Sequence, residues 1–177
     1  MSGSNQRPRT WAALDFETAC EDAGSACAIG IVRHAGARTR RAHWLIRPPS
    51  RWFSFTYIHG ISWSDVAKEP TFGELWPELA RFTAGAEFIA AHYATFDRGV
   101  MRACCAQAGI AMPPVPWLCT VKLGRSAWGV YPTKLPNLAA FLGADLRHHD
   151  AMSDASVCAQ AVARAIREGK DLAKAMM

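Results

Sequence analysis

The sequence predicts an α/β fold, a central mixed β-sheet flanked by helices. Two observations carry that prediction. The first part of the chain reads as three successive strands, and the rest alternates short strands with helical patterns. A third sets the domain count: 177 residues without internal repeat, low-complexity block or linker make one domain with a real core.

Residues 1–9 are polar and read as a disordered tail, leaving 10–177 as the single domain. Trp11–Phe16 is a short apolar run that predicts a buried strand. Ala26–His34 and Arg38–Arg47 predict a hairpin joined through Ala35-Gly36-Ala37, and residues 48–55 a loop. Ser62 with Asp65 is a capping pattern that opens a short helix to Glu69. Thr71 and Glu74 repeat it, with Pro77 early enough to kink that helix or delay its start. Glu87–His92 is the next strand, and Phe96–Gly109 a helix ending at glycine. A fifth strand follows Pro113–Pro116, and Lys122–Trp128 continues as a helix. Thr133 is the expected cap of a helix over residues 134–143, and the last helix runs over Asp150–Glu168.

Composition narrows the class. Half the residues are hydrophobic and 20% charged, the balance of a soluble globular domain. The polar start has no apolar core of a signal peptide, and no apolar run reaches the length of a membrane span. The six cysteines show neither a Cys-x-x-Cys pair nor zinc-ligand spacing, so they read as reduced core thiols of a cytoplasmic protein. The net charge of +5 permits an anionic partner. Its densest cluster, Arg33 to Arg47, suits two roles: edge protection of a hairpin, or attraction of phosphates.

The acidic residues are harder to place. In the final helix, Ala151, Asp154, Ala155, Cys158, Ala161, Val162, Ala165 and Ile166 form one stripe at helical spacing. Asp154 alone on it is charged, and no Lys or Arg lies within a turn on that stripe. Either the helix end is exposed there, or a cation comes from elsewhere. On the first strand, alternation points Asp15 and Glu17 to one face and Leu14 and Phe16 to the other. Asp97 opens a helix, where an acid also suits the helix dipole. Four carboxylates in one fold need charge compensation, which divalent cations with oxygen ligands supply. His149 stands five residues before Asp154, a candidate general base because imidazole titrates near working pH.

The segments Asp-Phe-Glu-Thr at 15–18, His-Tyr-Ala-Thr-Phe-Asp at 92–97 and His-Asp-Ala-Met-Ser-Asp at 149–154 resemble the three motifs of the DEDD exonucleases. The His-x-x-x-x-Asp spacing marks the DEDDh branch, and Trp117–Leu123 leans toward the exodeoxyribonuclease X group. The likeness spans Thr10 to Arg167. It implies a ribonuclease-H-like fold, two Mg²⁺ or Mn²⁺ ions on Asp15, Glu17, Asp97 and Asp154, and release of 5′-mononucleotides from 3′ ends. It makes His149 the base and leaves His148 structural or solvent-facing. It places Phe16 and Thr18 along the terminal nucleotide and Ile58 and His59 as a wedge between the last bases. The implied partners are single-stranded DNA or RNA 3′ ends, with DNA favoured, and no membrane. A polymerase partner is compatible, although no tail like that of the polymerase III epsilon subunit follows the last helix.

One residue departs from the family pattern. Tyr93 stands where these enzymes usually carry Asn, and it suits stacking on a base or packing in its loop. Two rival readings remain: a catalytically weak nucleic-acid-binding or polymerase-accessory module of the same fold, and an endonuclease. All four carboxylates and His149 are present, which argues against the first. The third motif disfavours the second.

Overall fold

The computed structural model describes residues 10–177, so the tail predicted for residues 1–9 lies outside the described residues. Five strands form one sheet in the order β3-β2-β1-β4-β5. They are β1 (Thr10–Thr18), β2 (Ala26–Ala35), β3 (Arg38–Leu45), β4 (Ile89–Ala91) and β5 (Trp117–Cys119). β1 pairs antiparallel with β2, and β2 with β3, while β1–β4 and β4–β5 are parallel. The helices are α1 (Thr56–His59), α2 (Trp63–Val66), α3 (Phe72–Thr83), α4 (Thr95–Gln107), α5 (Thr120–Trp128), α6 (Leu135–Leu142) and α7 (Ala151–Arg167). A 3₁₀ turn at Ala173–Ala175 closes the chain.

The two faces of β1 enter two cores. Ala12, Leu14 and Phe16 join the cluster built with α3 and α4, which includes Leu75, Leu79, Val100 and Met101. Trp11 and Ala13 join the cluster built with α6 and α7, which includes Leu138, Cys158, Ala161 and Val162. The odd face, continued past Ala13, carries Asp15 and Glu17 to the side on which α7 packs.

Gly30 lets α7 come that close. It pairs with Asp15 across β1 and β2. A Cβ there would collide with the carbonyl of Ala151 and the backbone of Met152. Rigid backbone cannot yield as a flexible side chain can. Gly30→Ala is expected to lower stability by at least the ~1–3 kcal/mol of an overpacked core. It should also displace the first turn of α7, so thermal unfolding and activity fall together; an unchanged melting temperature would contradict this packing.

Several boundaries depart from the sequence expectations. α1 arises where only loop was predicted before it, and four residues carry too little periodicity to reveal a helix. α2 keeps its cap, Asp65 accepting from the Ser62 N–H at 2.7 Å, but stops at Val66 rather than Glu69. Pro70 follows and disfavours helix at the residue before it. Pro77 lies inside α3 and does not delay its start at Phe72. Thr133 is not the cap of α6: Lys134 holds that position without a side-chain bond. The Thr133 hydroxyl instead donates to the Val130 carbonyl and accepts from Arg125 Nε.

β3 is the sheet edge, and Arg38, Arg40 and Arg41 stand exposed along it. Arg33 donates to the Phe82 carbonyl at 2.7 Å, and Arg40 lies over the Phe82 ring. All six cysteines are free thiols. Among the described residues, no helix is long and apolar enough to cross a membrane.

Candidate active site

β1 outruns its parallel neighbour. The β1–β4 ladder covers only Ala12–Ile89 and Ala13–Ala90, because β4 ends at Ala91. Beyond it, the Phe16 N–H has no strand to meet and donates to Asp97 Oδ1 at 3.0 Å. Asp97 thus arrives from the first turn of α4, which starts four residues after β4 and crosses this end of β1. The opening lies at the carboxyl ends of parallel strands, where α/β sheets place their ligands.

α7 brings the fourth carboxylate. Its first turn is fixed by Asp150, whose side chain accepts from the Ser153 N–H at 2.8 Å. Asp154 follows, 3% exposed, so the exposed-end explanation for its place on the apolar stripe does not hold. Asp15, Glu17 and Asp154 each offer an oxygen, all within 4.8 Å of one another. Asp97 lies beside this trio, not within it.

The electrostatics of the group are those of carboxylates short of a cation. Burial, then Asp97, Asp154 and Glu17, drive Asp15 far above the ordinary carboxylate range. Burial, then Asp154 and Asp97, push Glu17 up to about 8. Asp97 rises to about 7 through burial, against the opposing pull of the Phe16 N–H. Asp154 is raised by burial, and its bonds to His148 and to the His149 N–H draw it back. At neutral pH the group retains protons where a positive charge would serve. Of the three buried side-chain N/O atoms without a hydrogen-bond partner among the described residues, two are Asp97 Oδ2 and Asp154 Oδ1. All-oxygen donors, unpartnered lone pairs and mutual repulsion fit a divalent cation of the Mg²⁺ or Mn²⁺ kind.

His149 has φ +67°, a left-handed conformation uncommon for a residue with a side chain. That turn aims its N–H at Asp154 Oδ2, 3.2 Å away. Burial, then His148, holds its imidazole below the ordinary value, with Asp154 opposing. The neutral, proton-accepting form therefore dominates at neutral pH. His148, expected to be structural or solvent-facing, is both. Its side chain is 40% exposed, yet its Nδ1 lies 3.0 Å from Asp154 Oδ2, and its ring stacks on that of His149 at 3.9 Å. It touches a candidate ligand rather than solvent alone.

Asp15, Glu17, Asp154, His148 and His149 line one cleft of about 590 Å³ together with Phe16, Thr18, Ile58, His59 and Tyr93. Phe16 borders it while 2% exposed, its side chain belonging to the core. Ile58 stands 36% exposed at the rim. His59 turns inward: Nδ1 accepts from the Ile61 N–H, so Nε2 carries the proton and donates to the Thr18 carbonyl at 3.1 Å. It fastens α1 to the end of β1. Tyr93, φ +59° and 65% exposed, projects into solvent and does not pack in its loop. The sequence reading missed His92, Phe96, Arg125 and Lys134, which also line the cleft. His92, held neutral with a pKa of about 4 mainly by burial, bonds Thr120 and the Thr133 carbonyl, tying the end of β4 to the loop before α6. Residues so far apart in sequence give no local signal of that meeting.

The comparisons with known proteins agree with this geometry. Residues 12–162 match the RNase T exonuclease family. The chain is 31% identical over 112 residues to exodeoxyribonuclease 10 of Escherichia coli strain K12, covering 58% of this chain and 43% of that protein. The match thus spans less than half the length of that curated relative. Among solved structures, exonuclease X in complex with 5′-overhanging duplex DNA superposes with a TM-score of 0.71 at 22% identity, covering 93% of this chain and 96% of that one. The nuclease domain of 3′hExo, a DEDDh family member bound to rAMP, gives 0.73 at 18% identity, covering 93% and 95%. The ribonuclease-H-like arrangement expected of the sheet is the one observed. The chain belongs to the RNase T exonuclease family and is similar to exodeoxyribonuclease 10.

Proposed function

We propose that this protein is a metal-dependent 3′–5′ exonuclease that releases 5′-mononucleotides from single-stranded ends, DNA in preference to RNA. The observation that carries the reading is the convergence of Asp15, Glu17 and Asp154 within 4.8 Å, with Asp97 beside them and His149 on the same cleft. When bound, two divalent ions would supply charge stabilisation and water activation for an in-line phosphodiester displacement.

The chain's own residues do the rest. Asp15, Glu17, Asp97 and Asp154 hold the ions, and Asp97 keeps its place through the Phe16 N–H. His149, neutral at working pH, takes the proton of the attacking water on its imidazole. Phe16 and Thr18 border the terminal nucleotide, and Ile58, carried on an α1 anchored by His59, stands between the last bases.

Linear and circular single-stranded DNA, incubated with Mg²⁺, Mn²⁺ or EDTA, test the reading. Linear strands should be degraded with either ion and survive in EDTA, and circles should survive throughout. Cleavage of circles would favour an endonuclease. Undiminished turnover in EDTA would end the metal-dependent mechanism.

A further inference from the structure

We infer that the flank of the cleft along β4 and β5 is a second subsite. It would grip the phosphodiester upstream of the scissile one with Arg125 and Lys134, and stack its bases on Tyr131 and Tyr93. This rests on the exonuclease reading and names where the remainder of the single strand runs.

The topology separates the two flanks. α1 is fastened over β1 and β2: His59 bonds the Thr18 carbonyl and lies 4.0 Å from Cys27 Sγ. On the far side, His92 follows β4 and reaches Thr120 after β5 and Thr133 before α6. A nucleotide held at the carboxylates has α1 on one side and the loop before α6 on the other.

Charge makes the far flank necessary. Asp15, Glu17 and Asp154 line the cleft, repel one another and would repel a polyanion wherever their charge is left uncompensated. Arg125 and Lys134 are the Arg and Lys side chains among the residues lining this cleft. Neither has a carboxylate within ion-pair distance among the described residues. The Arg125 guanidinium is already oriented. Its Nε donates to Thr133 Oγ1 at 2.9 Å, and its Cζ lies 5.8 Å from the Tyr131 ring centroid. The terminal N–H groups stay available for the paired donation that suits a phosphate.

The aromatic rings complete it. Tyr131 is 82% exposed and Tyr93 65%. Hydrophobic burial does not account for rings held so far into water. Tyr93 also keeps a left-handed φ that strains a bulky residue and that Asn adopts more readily. Such strain persists at ligand contacts. Rings interleaved with cations are the platform of sequence-tolerant single-strand binding.

Fluorescence anisotropy tests the subsite without relying on turnover. The probe is a labelled oligothymidylate a dozen nucleotides long, bound to the Asp15→Asn protein in Mg²⁺ across a range of salt. Added Arg125→Gln and Lys134→Gln should weaken binding at least tenfold and flatten the slope of log affinity against log salt by about 1.4 in magnitude, at ~0.7 per single-strand phosphate contact. Tyr131→Ala should weaken it roughly tenfold with the slope kept, as for one lost stack. Lys134 is exposed, so Lys134→Gln alone cannot fail by unfolding and should show half the slope change. Unchanged affinity and slope in these variants overturn the subsite. A wild type that binds with the full slope but degrades nothing would count against the exonuclease reading while leaving the subsite in place.

Discussion

Asp15→Asn and Glu17→Gln are each expected to reduce turnover by several orders of magnitude, while the chelated protein stays folded and melts at a higher temperature. The loss of activity would follow from taking one oxygen out of a trio that lies within 4.8 Å. The gain in stability follows from the raised acidities. In the folded, chelated protein Glu17 titrates at about 8 and Asp97 at about 7, against ordinary values of 4.5 and 3.8. The folded state binds these protons more tightly than the unfolded chain does. Their stabilisation is therefore fully present below about pH 4 and lost as pH rises through 7 and 8. Without ions, the melting temperature of the wild type should fall across that window. Glu17→Gln, which cannot ionise, should flatten the fall and raise the melting temperature by a few degrees at pH 8, since ~1 kcal/mol moves a domain of this size by about 2–4 °C. Added Mg²⁺ should restore the wild type most strongly at high pH, where the carboxylates are free to bind it. A variant with near-normal turnover would make the strand carboxylates structural.

His149→Ala should lower the rate by ~10²–10⁴, the loss expected of a positioned base, while metal and nucleic acid bind nearly as before. Asp154→Ala, by contrast, should lose metal affinity and rate together. The wild-type rate should rise with pH through an ionisation below the ordinary imidazole value, since burial and His148 hold His149 down. His149→Ala should lose that limb and recover partly in alkali. His148→Ala should retain the limb and most of the activity, with a modest fall in metal affinity because its Nδ1 holds Asp154 Oδ2 at 3.0 Å. If His148→Ala loses the limb and His149→Ala keeps it, the base is His148.

How much of this was legible in the sequence differs by residue. The period of two in β1 was enough to put Asp15 and Glu17 on one face, and the stripe of α7 was enough to set Asp154 on an otherwise apolar face, because both depend on local geometry alone; whether Asp154 was buried stayed open until the packing of α7 was seen. The tether of Asp97 to the Phe16 N–H was not legible. It requires β4 to stop at Ala91, and a three-residue strand leaves only a faint pattern. The His148 contact depends on a left-handed turn at His149, which residue type does not announce. Arg125, Thr133 and His92 come from three segments that meet only once the sheet has formed. Tyr93 was visible as a departure, but its exposure and left-handed backbone were not legible from residue type. Gly30 gave no signal beyond a glycine in a strand, although the approach of α7 depends on it.

The most direct test of the central claim follows one label. A single-stranded oligodeoxynucleotide carrying the label on its 3′-terminal nucleotide is digested with Mg²⁺ and sampled before one residue per strand has been removed. The account predicts that all early label appears as a 5′-mononucleotide, and that EDTA or Asp154→Ala abolishes its release. Early label in longer fragments, or a 5′ label released first as a mononucleotide, would contradict it.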